Sequence, residues 1–364
     1  MRILVFIDHM AGGGAARVTA VLCKGLAQRS HELVLAYNRQ RETLYTFGKD
    51  VQEADNYVER HGTNHMAGIM LMLRRVKRYR QIIRDIQPDI IIGIEPEPYL
   101  YALIASTGSG IPVVAVDHTS YRRKQHWFTH WIRWHAYSRA NKVSILSHVD
   151  ESILCNRLPN KTVIHNPVPF PIIETNTPRE KIILCVGRMD VWDVKGFDRM
   201  VCMWGKLASS HPDWRLVFAG GGTDETLQFL RQKAKEHGAE KQIQFPGVVS
   251  DMQSLYRRCA IFALPSRIEG FPMSLLEAAS QGCACISFSL GGVAEEIYTN
   301  GKSGFIVEDD KEDDFADKLN TLIEQESTRE RFSLAIREEM KRFSEEQFVN
   351  TWEQLCQQLC KTDQ

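Results

Sequence analysis

The sequence predicts an α/β protein built from two doubly wound, Rossmann-like halves facing a central cleft. Three observations predict it. Short, continuously apolar, β-rich runs alternate with longer stretches of helical periodicity. Strands apolar on both faces, with helices between them, belong to a parallel sheet covered on both sides. At 364 residues the chain exceeds one ordinary core, so two domains are the default.

In chain order, the first half offers strands at Ile3–Ile7, Leu33–Ala36, Ile90–Ile94, Val113–Val116 and Val143–Leu146. The Pro-rich, polar stretch from Asn166 to Pro178 resists helix and reads as the interdomain linker. A second series follows at Ile182–Val186, Leu216–Ala219, Ile243–Phe245, Ile261–Leu264, Cys285–Phe288 and Phe305–Val307. The tail from Ser344 to Cys360 is apolar at helical spacing. The expected domains are 1–170 and 171–343, with 344–364 a C-terminal helix packing back toward the first. In such sheets, ligands sit beyond the carboxyl ends of the strands.

A hydrophobic content of 43% and a charged content of 25% are those of a soluble globular protein. The formal net charge is zero, but residues 1–170 hold 22 Lys+Arg against 14 Asp+Glu, and the remainder 23 against 31. A basic first half and an acidic second half imply different partners. The nine cysteines include no CxxC pair, which disfavours a zinc site and points to reduced thiols in a cytoplasmic protein. Met1–Ile7 is too short and too soon polar for a signal peptide, and no apolar stretch approaches membrane-spanning length.

The most informative stretch is Glu269–Glu277, where two carboxylates stand eight positions apart. Glu269 follows an apolar strand in a Gly/Pro loop; Glu277 falls early in a helix expected to begin near Pro272. Both can accept hydrogen bonds from sugar and ribose hydroxyls, while the helix N-terminus offers N–H groups to phosphate. That combination suits a nucleotide-sugar. Glu277 has only small or apolar neighbours in sequence, so its carboxylate needs a partner.

Upstream, Gly187–Arg188 and Lys195–Gly196 bracket a loop. A guanidinium and an ammonium converging on a diphosphate neutralise the charge that builds on a departing nucleotide. Gly220–Gly222 and Pro246–Val249 also end strands and read equally as turns or as backbone contacts to a nucleotide. In the first half, Gly12–Gly13–Gly14–Ala15–Ala16–Arg17 follows the first strand and opens a helix. Dinucleotide binding is disfavoured there, because Arg17 replaces the third glycine and Ala36–Tyr37–Asn38 supplies no acid after strand two. His118 ends another strand, where it either donates to a substrate hydroxyl or caps the next helix.

Together these residues resemble the family 4 retaining glycosyltransferases of the GT-B fold, of the bacterial surface-polysaccharide and lipopolysaccharide type. The likeness spans most of the chain and is strongest from Ile182 to Val307. It implies a first domain that binds acceptor and a second that binds a nucleotide-sugar, UDP-linked by frequency alone. Arg188 and Lys195 would hold the diphosphate, Glu269 the donor sugar and Glu277 the ribose. His118 would be the first-domain histidine and join Arg188, Lys195 and Glu269 in catalysis. The implied donor contacts extend to Gly13, Gly14, Gly221, Val248, Gly270, Phe271, Pro272, Met273, Ser274 and Leu275. The resemblance implies no metal and no cofactor, and no Asp-x-Asp occurs in the cleft-facing loops. Two departures stand out: Ala16 replaces an acid often found in the glycine loop, and the Arg188–Lys195 loop is slightly long and holds Trp192.

Tyr121–Lys142 carries six basic residues, no acid and six aromatics; Leu71–Arg84 adds six more bases beside Met and Leu. Arg122, Arg123, Lys124, Trp127, Trp131, Arg74 and Arg75 thus form a candidate surface for a lipid-linked or lipopolysaccharide glycan acceptor and an anionic membrane. The competing readings are a core-packing stripe of Trp127, Trp131 and Trp134, and nucleic acid, which no accompanying motif supports. The expected activity is metal-independent retaining transfer at the inner face of the cytoplasmic membrane. A non-catalytic sugar-nucleotide-binding subunit and a sugar-nucleotide epimerase on the same fold remain open.

Overall fold

The computed structural model describes residues 1–175 and 177–361. Asn176 of the expected linker and residues 362–364 of the expected C-terminal segment lie outside the described residues. The chain divides into two units, Met1–Pro167 with Glu345–Gln364, and Val168–Ser344.

The first unit is built on a parallel seven-stranded sheet of β1 (Arg2–Phe6), β2 (Glu32–Tyr37), β3 (Val51–Asp55), β4 (Ile90–Ile94), β5 (Val113–Val116), β6 (Lys142–Ile145) and β7 (Lys161–Val163). The strand order is β3-β2-β1-β4-β5-β6-β7, so winding reverses between β1 and β4. Every residue of β4 is buried, as an inner parallel strand requires. On one face Phe6 stacks on Tyr79 of helix His65–Ile86 with ring centroids 4.0 Å apart. Asn56 ties the same layer together, donating to Ile7 O at 2.8 Å and Ala36 O at 3.1 Å. The sequence reading lacked β3 and β7. Both are short edge strands, and β3 leaves Gln52 and Glu53 exposed, so neither carries a continuous apolar run.

The second unit repeats the plan with six parallel strands: β8 (Glu180–Val186), β9 (Arg215–Ala219), β10 (Ile243–Gly247), β11 (Cys259–Leu264), β12 (Ala284–Phe288) and β13 (Gly304–Val307). Their order is β10-β9-β8-β11-β12-β13, with the reversal between β8 and β11. β11 is wholly buried, and helices cover both faces of the sheet.

The boundaries fall at Pro167/Val168 and Ser344/Glu345, rather than at 170/171 and 343/344. Val168 N–H donates to Phe343 O at 2.8 Å, which fixes the chain as it enters the second unit beside the point where it leaves. The last helix, Glu345–Lys361, belongs to the first unit and packs on helix Gly14–Ala27. Their approach requires a glycine, since a Cβ on Gly25 would lie 2.3 Å from Val349 Cγ2. Glu353 anchors the helix by accepting from Arg29 at 2.8 Å and pairing with His31 at 2.7 Å.

Candidate active site

In the second unit the carboxyl ends of three strands are joined by backbone alone. Gly187 N–H donates to Ala219 O at 3.0 Å, Gly220 N–H to Gly247 O at 2.9 Å, and Met189 N–H to Gly221 O at 2.7 Å. Gly220 has φ +148°, and a Cβ there would sit 1.9 Å from Gly187 O, so only glycine permits this closeness. The glycine run is therefore first a packing turn. Val248, which follows β10 near Gly221, is 79% exposed.

The segment after Arg188 is not a loop. Met189–Val191 forms a 3-10 turn and Trp192–Lys195 a short α-turn; Trp192 packs on Phe229 with the rings tilted by 33° and their centroids 4.5 Å apart, and Gly196 ends the turn with φ +66°. A Cβ on Gly196 would lie 1.8 Å from Pro265 O, so this glycine lets the turn press against the loop after β11. Helix Phe197–Leu207 follows. The result brings Lys195 Nζ to 2.8 Å from Glu269 Oε1. Ser266 Oγ donates to the same oxygen at 2.7 Å.

Two arginines hold that arrangement. Arg199 is buried, donates to Pro265 O at 2.7 Å and Ser266 O at 2.6 Å, and stacks on Phe288 at 3.7 Å. Burial lowers its pKa to about 10, and Arg267 nearby acts in the same direction. Arg267 donates to both carboxylate oxygens of Asp198 at 2.8 Å, while its backbone N–H donates to Val194 O at 2.8 Å. The Lys195 turn and the Glu269 loop are thus clamped from both sides. Sequence reasoning missed Ser266, Arg267 and Arg199. The available signal was Arg199 itself, a cation among apolar neighbours in a helix that begins just after Lys195–Gly196.

Glu277 is the fifth residue of helix Met273–Ser280 and is buried. Its partner is the Tyr256 hydroxyl, which donates to Oε2 at 2.8 Å. The helix opens at Pro272 without a side-chain cap. Among the described residues, the N–H groups of Met273 and Ser274 have no backbone acceptor, as the first turn of a helix dictates. Phe271 and Leu275 instead point into the core: Phe271 packs edge-on to Phe343, and Leu275 is wholly buried with its N–H on Pro272 O. Gly270 is half-buried beside Glu269. Arg188 is exposed and, among the described residues, makes no ion pair. Arg188, Lys195, Glu269 and Glu277 all follow β8 or β11, the neighbouring strands where the winding reverses. A cavity of about 370 Å³ opens instead at the amino ends of β8 and β9, lined by residues that include Glu180, Arg215 and Arg258, whose charges already pair with one another.

In the first unit, Gly13 (φ +95°) caps helix Gly14–Ala27 with no side-chain hydrogen bond, leaving the first N–H groups free of a cap. Ala16 is buried against the unit's interior. At the end of β5, Asp117 pairs with Arg133 at 2.6 Å. Arg133 also donates to Thr119 O and lies 3.7 Å over the Tyr121 ring. At 3% exposure, Arg133 is an interior residue and leaves the basic surface stretch in which the sequence placed it. His118 beside it keeps a neutral imidazole: burial lowers its pKa to about 4 against the opposing pull of Asp117. It lines a water-sized cavity of about 10 Å³ with Thr19, Ser144 and Phe348. Its backbone N–H donates to the carboxyl of Glu95, a residue sequence reasoning did not single out.

The basic and aromatic segments divide. Trp127 is 71% and Trp131 43% exposed, so they form no core stripe; Ile132 and Ala136 fill the core from the π-helical turn that follows, and Tyr137 from the 3-10 turn after it. Arg122, Arg123 and Lys124 are exposed. In helix His65–Ile86, exposed Met66, Ile69, Met70 and Leu73 stand beside exposed Arg74 and Lys77. Arg75 is turned inward, 3.9 Å from Asp8 and 3.6 Å from Glu97. Among the described residues no helix is long and apolar enough to cross a membrane.

Two doubly wound parallel sheets, each with its polar residues after the reversal strands, define the GT-B class of glycosyltransferases. The solved structure of Anabaena HepE in complex with UDP has the same fold, with a TM-score of 0.77 at 17% identity over 98% of this chain and 100% of that one. The Glycosyltransferase Family 4 model matches residues 12–170, and the Glycosyl transferases group 1 model matches residues 172–339. The chain belongs to the family 4 glycosyltransferases of the GT-B fold. It is 29% identical to the lipopolysaccharide 1,6-galactosyltransferase of Salmonella typhimurium over 70% of this chain and 72% of that protein. It is 22% identical over 97% of both chains to a Campylobacter jejuni α-1,4-N-acetylgalactosaminyltransferase named for a diphosphate-undecaprenol-linked acceptor.

Proposed function

We propose that this glycosyltransferase moves a sugar from a nucleoside-diphosphate donor, UDP-linked, to a lipid-linked or lipopolysaccharide glycan with retention of anomeric configuration. The observation that carries the reading is the Lys195–Glu269 pair at 2.8 Å, clamped beside an exposed Arg188 and an uncapped helix start. Arg188 and Lys195 neutralise the leaving diphosphate as the anomeric bond breaks. Glu269 and the N–H groups at Met273 and Ser274 hold sugar and phosphate, and Glu277 takes the ribose hydroxyls. In retaining transfer the donor phosphate oxygen receives the acceptor hydroxyl's proton, so the protein needs no base of its own at that point. His118, neutral near pH 7, supplies the first unit's hydrogen bond to a substrate hydroxyl. Cationic side chains take the place a metal would fill, so activity should persist in EDTA. The acceptor class is supported by the relatives named for lipopolysaccharide and undecaprenol-linked glycans.

The membrane-facing surface of this reading comprises Arg122, Arg123, Lys124, Trp127, Trp131 and Arg74, with Met66, Ile69, Met70 and Leu73 as the apolar insert. It suits a cytoplasmic enzyme peripheral to an anionic bilayer.

A thermal-shift panel of UDP, GDP, ADP and their sugars tests the donor; a nucleotide bound only by the folded state raises the melting temperature. Nucleotide release is then followed with bacterial membranes as acceptor source and with donor alone. Release that needs membranes supports transfer. Conversion of donor alone indicates an epimerase, and binding without turnover a non-catalytic subunit. Flotation with phosphatidylglycerol vesicles tests the surface, and unchanged flotation of the Arg122/Arg123/Lys124→Glu variant removes it from the reading.

A further inference from the structure

Glu95 stands immediately after β4, at the carboxyl end of a reversal strand. Its backbone has φ 71° and ψ 159°. That region is essentially reserved for glycine, and the chain does use a glycine, Gly13 (φ 95°, ψ 168°), in the same conformation after β1. Gln87 also has positive φ, but in the ordinary left-handed region that ends helices (φ 51°, ψ 59°). A glutamate kept where glycine would relax the chain needs a reason in its side chain.

Local structure supplies none. The side chain makes no cap to the helix it precedes, Pro96–Ala105. Among the described residues it has no ion-pair partner, since Arg133 is taken by Asp117 at 2.6 Å and Arg75 by Asp8 and Glu97. Among the described residues its one hydrogen bond comes from the His118 N–H. The backbone does fix its place: Glu95 N–H donates to Val116 O at 2.8 Å, locking β4's end to β5. The result is a carboxyl held rigidly at the strand edge with acceptor and donor capacity to spare.

The surrounding charge selects the ligand class. Asp8, Glu97 and Asp117 stand near it, but Arg75 pairs with the first two and Arg133 with the third, so the local charge is balanced and an uncharged hydroxyl suits the carboxyl. Resting on the transfer reading above, we propose that Glu95 is an acceptor-binding residue whose carboxyl hydrogen-bonds a hydroxyl of the incoming acceptor sugar. Burial and the nearby Asp117 raise its pKa to about 8. Near neutral pH the group therefore keeps its proton and offers one O–H donor and a carbonyl acceptor, the pair that a sugar hydroxyl can use in both directions.

The test uses the full chain with Glu95→Gly and Glu95→Gln. UDP release from UDP-sugars is measured with lipid-linked glycans extracted from bacterial membranes, and again with no acceptor. Glu95→Gly should fold with a melting temperature at or above that of the parent, because glycine suits this backbone. Its KM for the extract should rise at least tenfold, with UDP binding and acceptor-independent release unchanged. Glu95→Gln, which keeps a donor and an acceptor, should lose less. An acceptor KM within twofold of the parent in both variants overturns the assignment. So does an equal loss of UDP binding or acceptor-independent release, which marks a structural role. A parent enzyme that binds UDP yet releases none with the extract removes the transfer reading, and this assignment with it.

Discussion

The two sheets reverse their winding in the same way, and each sets a glutamate after the strand that follows the reversal: Glu95 after β4 and Glu269 after β11. Their surroundings differ in kind. Glu269 is met by Lys195 and Ser266, and its loop is clamped by Arg199 and Arg267. Glu95 is held by backbone strain and burial, with its neighbouring cation spent on Asp117. The second unit offers compensated charge, suited to a ligand that brings charge of its own. The first offers neutral or protonated groups, suited to hydroxyls. One fold plan yields two chemistries through what each strand end is paired with.

The largest effect that could break this contrast is kinetic. Lys195→Ala should cut turnover at least ~10²-fold if the ammonium stabilises charge that grows in the transition state. Nucleotide release at saturating donor measures it, and near-parental turnover would mean that charge in the second unit is structural.

A pH titration of stability sharpens the other side. His118 in the folded chain titrates near 4, against 6.5 for an ordinary histidine. As pH falls below 6.5 the unfolded chain takes up this proton first, so the contribution is fully present above 6.5 and is lost toward pH 4. The loss amounts to about 1.4 kcal/mol per pH unit, up to about 3 kcal/mol. Urea melts from pH 7.5 to 4 should show it in the parent, and the difference from His118→Gln should shrink across that window. A parallel pH dependence in both proteins would mean that folding leaves the imidazole as freely hydrated as in the unfolded chain.

The smallest effect belongs to Tyr256→Phe. It leaves the buried Glu277 carboxylate without the hydroxyl that donates to it, at a cost of about 1–2 kcal/mol. Chemical denaturation reads this directly, and UDP affinity should fall with it if Glu277 takes the ribose. Unchanged stability would show Glu277 satisfied by other groups.

Much of the fold was legible because buried parallel strands leave a local signature. All six strands of the second unit and five of seven in the first stand out as apolar runs, whereas β3 and β7 do not, since an edge strand with exposed Gln52 and Glu53 has no need of one. The spacing of Glu269 and Glu277, and of Gly187–Arg188 and Lys195–Gly196, was equally local: each pair shares a strand-to-helix connection. In the Trp127–Trp134 segment helical spacing does not say which face is inward: Trp127 and Trp131 lie outside, as the surface reading expects, whereas Arg133 turns in.

The sequence alone therefore determined the element pattern, the family and the spacing of the Gly187–Arg188, Lys195–Gly196 and Glu269/Glu277 motifs, because periodicity and short-range spacing encode them. Only the tertiary structure decided partnership: Lys195 with Glu269 across 74 positions, Tyr256 with Glu277, Asp117 with Arg133, and the strained Glu95 with no ion-pair partner among the described residues. Which carboxylate is compensated and which is left to a ligand depends on long-range packing around each strand end. That packing sets burial, strain and charge, and no window of neighbouring residues contains it.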